Sequence, residues 1–172
     1  MELNAVFVDR DGTLGDSAEV EYPHTFEPFS YVADCIGQLK AAGIRVFIFS
    51  NQSCIARGKD NGYDFEKEFK GYGADDWFVC PHDDGDNCDC RKPKTGLLLK
   101  AREKYGLDMA RCAVIGDRWS DMLPGGLLGM KLALVLTGRG REAMGIHREK
   151  WEDYEPDIVA ADFKEAVRKI LE

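Results

Sequence analysis

Long hydrophobic runs are missing from this sequence. No apolar stretch approaches the ~18 residues that a membrane-spanning helix needs, so no membrane partner is expected. The first residues, MELNAVFVDRDG, carry no basic stretch leading into an apolar one, and a secretory leader is not expected either. Positive charge is also short: 23 Lys and Arg stand against 31 Asp and Glu, a formal net charge of -8. A surface of that sign repels phosphate backbones, which argues against nucleic acid as a partner. Any phosphate chemistry must then rest on a local group of cations. Internal repeats, low-complexity tracts and linkers are absent too. A chain of 172 residues, 44% of them apolar, reads as one domain over residues 1–172. Together these absences predict a soluble cytoplasmic protein.

What is present is an alternation. AVFVD (5–9), RVFIFS (45–50), DWFVC (76–80), CAVIG (112–116) and LALVLT (132–137) are short, rich in Val, Ile, Phe and Leu, and nearly free of charge. Strands buried on both faces read this way. A weaker run, PDIVAA, predicts an edge strand. Between them YVADCIGQLKAAG, TGLLLKAREKYG and ADFKEAVRKILE have apolar residues at helical spacing. Gly43 and Gly106 serve as stops and Thr95 as a cap. Strand and helix in repetition predict an α/β, three-layer Rossmann-like fold with a central parallel sheet.

In such sheets ligands bind beyond the carboxyl ends of the strands. The first run ends in Asp9, Arg10, Asp11, Gly12 and Thr13, and the second in Ser50, Asn51 and Gln52. Arg91 and Lys92 follow the third, and Asp117 and Asp121 follow the fourth. Three aspartates and a lysine therefore reach one edge of the sheet. Oxygen ligands suit a hard cation such as Mg²⁺, and a hydroxyl with a cationic amine suits phosphate oxygens. Each piece alone has a plainer reading: DRDG as a turn with solvated carboxylates, Ser50 and Asn51 as a loop start, Arg91–Lys92 as a surface pair, Asp121 as an acidic first helical turn.

The joint order of D-x-D-x-T, a strand ending in Ser, a Lys, and G-D-x-x-x-D resembles the phosphatase branch of the haloacid dehalogenase superfamily, subfamily IIIA. SNQSCIARGK with CPHDDGDNCDCRKPKTG is similar to the group holding histidinol-phosphate phosphatase and D-glycero-D-manno-heptose 1,7-bisphosphate phosphatase. SNQS-IARG leans to the heptose enzymes and the short Cys loop to the histidinol enzymes. The resemblance implies Asp9 as nucleophile and Asp11 as general acid and base, with a raised pKa. It implies Ser50 and Lys92 on the phosphoryl group and Asn51 and Arg91 on the substrate. Asp9, Asp117 and the backbone carbonyl of Asp11 would hold Mg²⁺, with Asp121 supporting. The substrate would be a small phosphorylated metabolite. A sugar phosphotransferase, a nucleic-acid end phosphatase and a non-catalytic zinc-stabilised scaffold are the alternatives.

Of six cysteines, three lie in CPHDDGDNCDC. Cys80, His82, Cys88 and Cys90 form C-x-H, five residues, C-x-C, a spacing that fits a closed structural Zn²⁺ site. A metal-free reduced loop and a regulatory disulfide are the other readings. Zinc would hold the loop and so position Arg91 and Lys92. Cys35, Cys54 and Cys112 read as small core residues. Cys54, however, stands where the family usually has Gly, close enough to the site to be an exposed thiol. His24 and His147 read as loop residues.

The segments Thr13 to Ser50 and Ser50 to Lys92 are only about 40 residues each, and the sheet and its helices use most of them, so no separate cap domain is expected. The zinc loop and GDSAEVEYPHTF would form the rim, with Tyr22 and Phe26 as candidate lining. A capless chain predicts a monomer or a small homo-oligomer. Pro124, Gly125 and Gly126 predict a short or distorted helix after Asp117.

Overall fold

The computed structural model describes residues 3–172. Its centre is a six-stranded sheet of β1 (Ala5–Val8), β2 (Arg45–Asn51), β3 (Asp76–Cys80), β4 (Cys112–Gly116), β5 (Lys131–Val135) and β6 (Ile158–Ala160). The order is β3-β2-β1-β4-β5-β6, and every pairing is parallel. The edge strand expected in PDIVAA is β6.

The two-residue period of a strand explains the layers. On β1, Val6 and Val8 face a core shared with α1 (Val32–Ala41), α2 (Phe65–Tyr72) and α6 (Phe163–Leu171). Ala5 and Phe7 face the other core, shared with α3 (Gly96–Tyr105), α4 (Trp119–Leu127) and α5 (Gly140–Met144). The three layers match the sequence reading. Cys35 and Cys112 are core residues, 1% and 0% exposed. Helix α2 was not read from the sequence. Asp64 caps it by accepting from the Lys67 N–H at 2.9 Å, Gly73 ends it at φ +86°, and Phe65 and Phe69 bury one face. Thr95 occupies the cap position of α3, but its side chain makes no capping bond.

Helix α4 is the one expected to be short or distorted. It runs nine residues straight through Pro124, Gly125 and Gly126. Pro124 has no N–H to offer the Ser120 carbonyl, and the helix continues past it. The glycines are there for packing. A Cβ on Gly125 would come within 2.8 Å of Leu132 and Val114, and one on Gly126 within 2.4 Å of the Tyr154 ring. Gly126→Ala therefore sets a helix-propensity gain of about 1 kcal/mol against an overpacking cost of about 1–3 kcal/mol. Net destabilisation is expected in urea unfolding, and a more stable variant would show that Tyr154 yields freely.

The chain leaves β1 toward β2 on one side and is flanked by β4 on the other. The carboxyl ends of β1 and β4 therefore open a crevice at the centre of the sheet. Between Thr13 and α1 the only regular element is a 3-10 turn, Pro23–Thr25.

Candidate active site

The crevice holds the residues that the strand ends predicted. Asp9 follows β1 directly, with its N–H bonded to the Ile115 carbonyl of β4 at 3.0 Å. Ser50, the next-to-last residue of β2, is fully buried. Lys92 comes from the loop after β3, and Asp117 and Asp121 follow β4. Lys92 is 6% exposed, and its Nζ lies 2.8 Å from Asp9 Oδ1, 2.6 Å from Asp121 Oδ1 and 3.0 Å from the Phe49 carbonyl. Burial opposes its charge, but Asp121 and Asp9 outweigh that and hold its pKa above the usual lysine value. Asn51 clasps the Lys92 backbone from both sides: Nδ2 donates to its carbonyl at 3.1 Å and Oδ1 accepts its N–H at 3.0 Å. Asp121 Oδ2 accepts the Arg118 N–H at 3.0 Å.

Asp9, Asp117 and Asp121 are all buried, and one carboxylate oxygen from each lies within 4.8 Å of the others. Burial, then repulsion from Asp9 and Asp121, pushes the Asp117 pKa well up. An oxygen cluster with that much unbalanced charge fits a hard divalent cation. Close backbone approach shapes it. Gly12 adopts φ +85°, and a Cβ there would sit 2.2 Å from Asp117 Oδ2. A Cβ on Gly138, at φ +53°, would sit 2.3 Å from the same atom. Asp117 also accepts the Arg139 N–H at 2.8 Å.

Asp11 is partly exposed, between two donors: Arg10 Nη1 at 2.6 Å from Oδ1 and Gln52 Nε2 at 2.9 Å from Oδ2. Burial raises its pKa to about 6 although Arg10 pulls the other way, in line with the expected raised value. Gln52 was named at the end of the second strand but given no role. It lies two residues beyond Ser50, so strand alternation predicts the same side, and its Nε2 also donates to Ser50 Oγ at 2.8 Å. Cys54 is not an exposed thiol. It is 6% exposed, its Sγ lies 3.6 Å from Gln52 Oε1, and burial pushes its pKa up.

The cleft above these groups has a volume of about 850 Å³. The rim expected in GDSAEVEYPHTF is there, built by Ala18 to Glu21. Tyr22 and Phe26 do not line it: Tyr22 is 38% exposed beside Lys59, and Phe26 is buried with the Arg10 guanidinium 4.0 Å over its ring. His147, read as a loop residue, does line the cleft, as do Lys59, Arg118 and Arg139. The rim is tied down by these cations: Glu19 to Arg139, Glu21 to Lys59, and the Ala18 carbonyl to Arg118. Six Lys and Arg side chains line this mouth, against six Asp and Glu.

Beside the cleft, Cys80, His82, Cys88 and Cys90 converge. Cys80 Sγ lies 3.5 Å from His82 Nδ1, 3.7 Å from Cys88 Sγ and 3.2 Å from Cys90 Sγ, and His82 Nδ1 lies 3.2 Å from Cys90 Sγ. Tetrahedral zinc sets ligand edges of roughly 3.5–3.8 Å, so these residues could hold that ion. Arg91, next in sequence, donates to Ser53 Oγ at 2.7 Å and the His82 carbonyl at 3.3 Å.

A family model for HAD-hydrolase-like proteins matches residues 89–166. D-glycero-alpha-D-manno-heptose-1,7-bisphosphate 7-phosphatase of Photorhabdus laumondii is 36% identical over 157 residues, covering 80% of this chain and 85% of the relative. The chain belongs to the haloacid dehalogenase-like hydrolases. Its relatives are named phosphatases, and it is a phosphoric monoester hydrolase. D-glycero-beta-D-manno-heptose-1,7-bisphosphate 7-phosphatase of Pasteurella multocida is 35% identical, covering 78% of this chain and 83% of that one. The crystal structure of D,D-heptose 1,7-bisphosphate phosphatase from B. bronchiseptica, complexed with magnesium and phosphate, superposes with a TM-score of 0.85. It is 26% identical, with 98% of each chain covered. No helix among the described residues is long and apolar enough to cross a membrane.

Proposed function

We propose that the protein is a Mg²⁺-dependent phosphatase acting on a small sugar bisphosphate through an aspartyl-phosphate. The observation that carries this is the convergence of Asp9, Asp11, Ser50 and Lys92 at one end of the sheet, with Lys92 Nζ 2.8 Å from Asp9. Asp9 attacks phosphorus, and the bond from phosphorus to the leaving oxygen breaks. Asp11 gives that oxygen its proton, then takes one from the water that cleaves the aspartyl-phosphate. Ser50 and Lys92 hold the phosphoryl oxygens, Asp121 holds Lys92, and Asn51 fixes the lysine backbone. Magnesium, held by Asp9, Asp117 and the Asp11 carbonyl, would neutralise charge on nucleophile and phosphate. Arg91 meets the substrate, and the cations at the mouth suit a second anionic group. The names of the heptose relatives support a bisphosphate of that kind. All these parts belong to one domain, residues 1–172, working in a reducing cytoplasm where the loop cysteines remain thiolate ligands.

The test is phosphate release with Mg²⁺ across heptose 1,7-bisphosphates, other sugar phosphates, histidinol phosphate, nucleotides and 3′-phosphorylated DNA. Turnover of one sugar bisphosphate well above the rest is expected. Folded, zinc-loaded protein that releases nothing overturns the proposal, and preference for DNA overturns the substrate class.

Zinc in the Cys80–His82–Cys88–Cys90 site would stiffen a loop whose middle, Asp84 to Asn87, is exposed. Cys88→Ser should drop bound zinc from about one ion per chain toward none and lower kcat/KM about 10- to 100-fold through misplaced Arg91 and Lys92. Elemental analysis with steady-state kinetics decides, since a zinc-free chain with full activity would leave the loop without that role.

A further inference from the structure

Arg10 stands between the two reacting carboxylates, and no step above uses it. Its side chain is 0% exposed, which is tolerable only if its charge and its three nitrogens are met. They are met by a second carboxylate 58 residues away, Glu68 on α2. Nε and Nη2 of Arg10 donate to its two oxygens at 2.8 and 2.9 Å. Nη2 also reaches the Pro23 carbonyl at 3.1 Å, and Nη1 reaches Asp11 Oδ1 at 2.6 Å. The rings of Phe26 and Phe65 lie 4.0 and 5.4 Å from the guanidinium carbon. Glu68 is held in turn, with the Tyr63 hydroxyl donating to Oε2 at 2.7 Å and the Tyr72 hydroxyl to Oε1 at 3.0 Å. Its side chain is only 6% exposed and touches nothing in the cleft.

A two-pronged carboxylate contact fixes the plane of a guanidinium as well as its place. With Nε and Nη2 fixed by Glu68, Nη1 points in one direction only, at Asp11 Oδ1. Gln52 holds the other oxygen. We infer that Glu68 is a positioning residue for the hydrolysis: through Arg10 it orients the Asp11 carboxyl toward the leaving oxygen. The inference rests on Asp11 acting as general acid. Without the fork, Arg10 can rotate, and Asp11 loses one of its two fixed donors.

The leaving group separates this role from simple support of the fold. A sugar alkoxide needs a proton as it departs, whereas p-nitrophenolate does not, and kcat/KM reports steps up to that cleavage. Glu68→Gln keeps the volume but turns an amide donor toward Arg10. Its kcat/KM for the sugar phosphate that the wild type turns over fastest should fall about 10- to 100-fold. For p-nitrophenyl phosphate it should change less than about threefold. An equal fall on both substrates, or none, overturns the inference. If circular dichroism shows Glu68→Gln unfolded, Tyr63→Phe removes a single hydrogen bond to the same carboxylate and is judged on the same ratio. A selective loss of about two- to fivefold is expected there, and an equal loss or none overturns the inference. Wild-type protein that turns over neither substrate overturns the phosphatase proposal itself, and this inference with it.

Discussion

Asp9→Asn should lower phosphate release by about 10⁴-fold or more while leaving a folded protein, because an amide cannot form the aspartyl-phosphate. The fold should survive for a local reason. Asp9 is one of three buried carboxylates within 4.8 Å, and Lys92 keeps its partner Asp121 at 2.6 Å when the Asp9 charge is lost. Thermal unfolding of the variant should therefore match or exceed that of the wild type. Rapid quench with labelled substrate should show a phosphoenzyme in the wild type and none in the variant. Activity within about tenfold of wild type would remove Asp9 as nucleophile and, with it, the covalent route.

Lys92→Met should damage both activity and stability. The ammonium is the only cation in contact with Asp9 and Asp121 among the described side-chain contacts, and it is nearly fully buried. Removing one partner from a buried ion pair leaves charge uncompensated, at a cost of about 3–5 kcal/mol. Loss of a preorganised cation at a phosphoryl group costs about 10²- to 10³-fold in kcat. Denaturant unfolding and initial rates on the best substrate check the two effects separately. A stable variant with lost activity would confine the lysine to phosphate binding. A destabilised variant with normal kcat would make it a structural counter-ion only. Added Mg²⁺ should recover part of the stability, since the cation would replace the lost charge among Asp9, Asp117 and Asp121.

Much of this was legible because the sheet is parallel. Strands buried on both faces read as uninterrupted apolar runs, and the first polar residues after them mark the ligand edge. Asp9, Asp11, Ser50 and Asp117 were picked out in this way, and Lys92 with Arg91 in the stretch after the third strand. Helix α2 escaped notice because FEKEFKGY mixes charge with only two buried residues, Phe65 and Phe69. Helix α4 was read as short or distorted because helix propensity prices Pro124, Gly125 and Gly126 for an isolated helix. In the fold the two glycines allow close approach to Val114, Leu132 and Tyr154. Cys54 was read as a small core residue and also, for its nearness to the site, as a candidate exposed thiol; its burial bears out the first, and a loop residue's burial depends on what folds over it. Tyr22 and Phe26 were offered to the rim as aromatic loop residues, but the buried guanidinium of Arg10 claims Phe26.

The sequence by itself determined the layer order of strand and helix, the edge where the proposed chemistry is placed, the carboxylates and lysine assembled there, and the four ligand-type residues of the cysteine loop. Each is a local matter: runs of apolar residues, the residue that ends a run, or a spacing within eleven consecutive positions, CPHDDGDNCDC. Only the tertiary structure decided how deep Lys92 lies, that Gln52 and Arg10 grip the two oxygens of Asp11, and that Glu68 holds Arg10 from another helix. The physical reason is that a buried charge must find its counter-charge wherever packing brings one. Glu68 and Arg10 are 58 residues apart, joined by how α2 lies against the loop after β1. No local pattern in either segment records that contact.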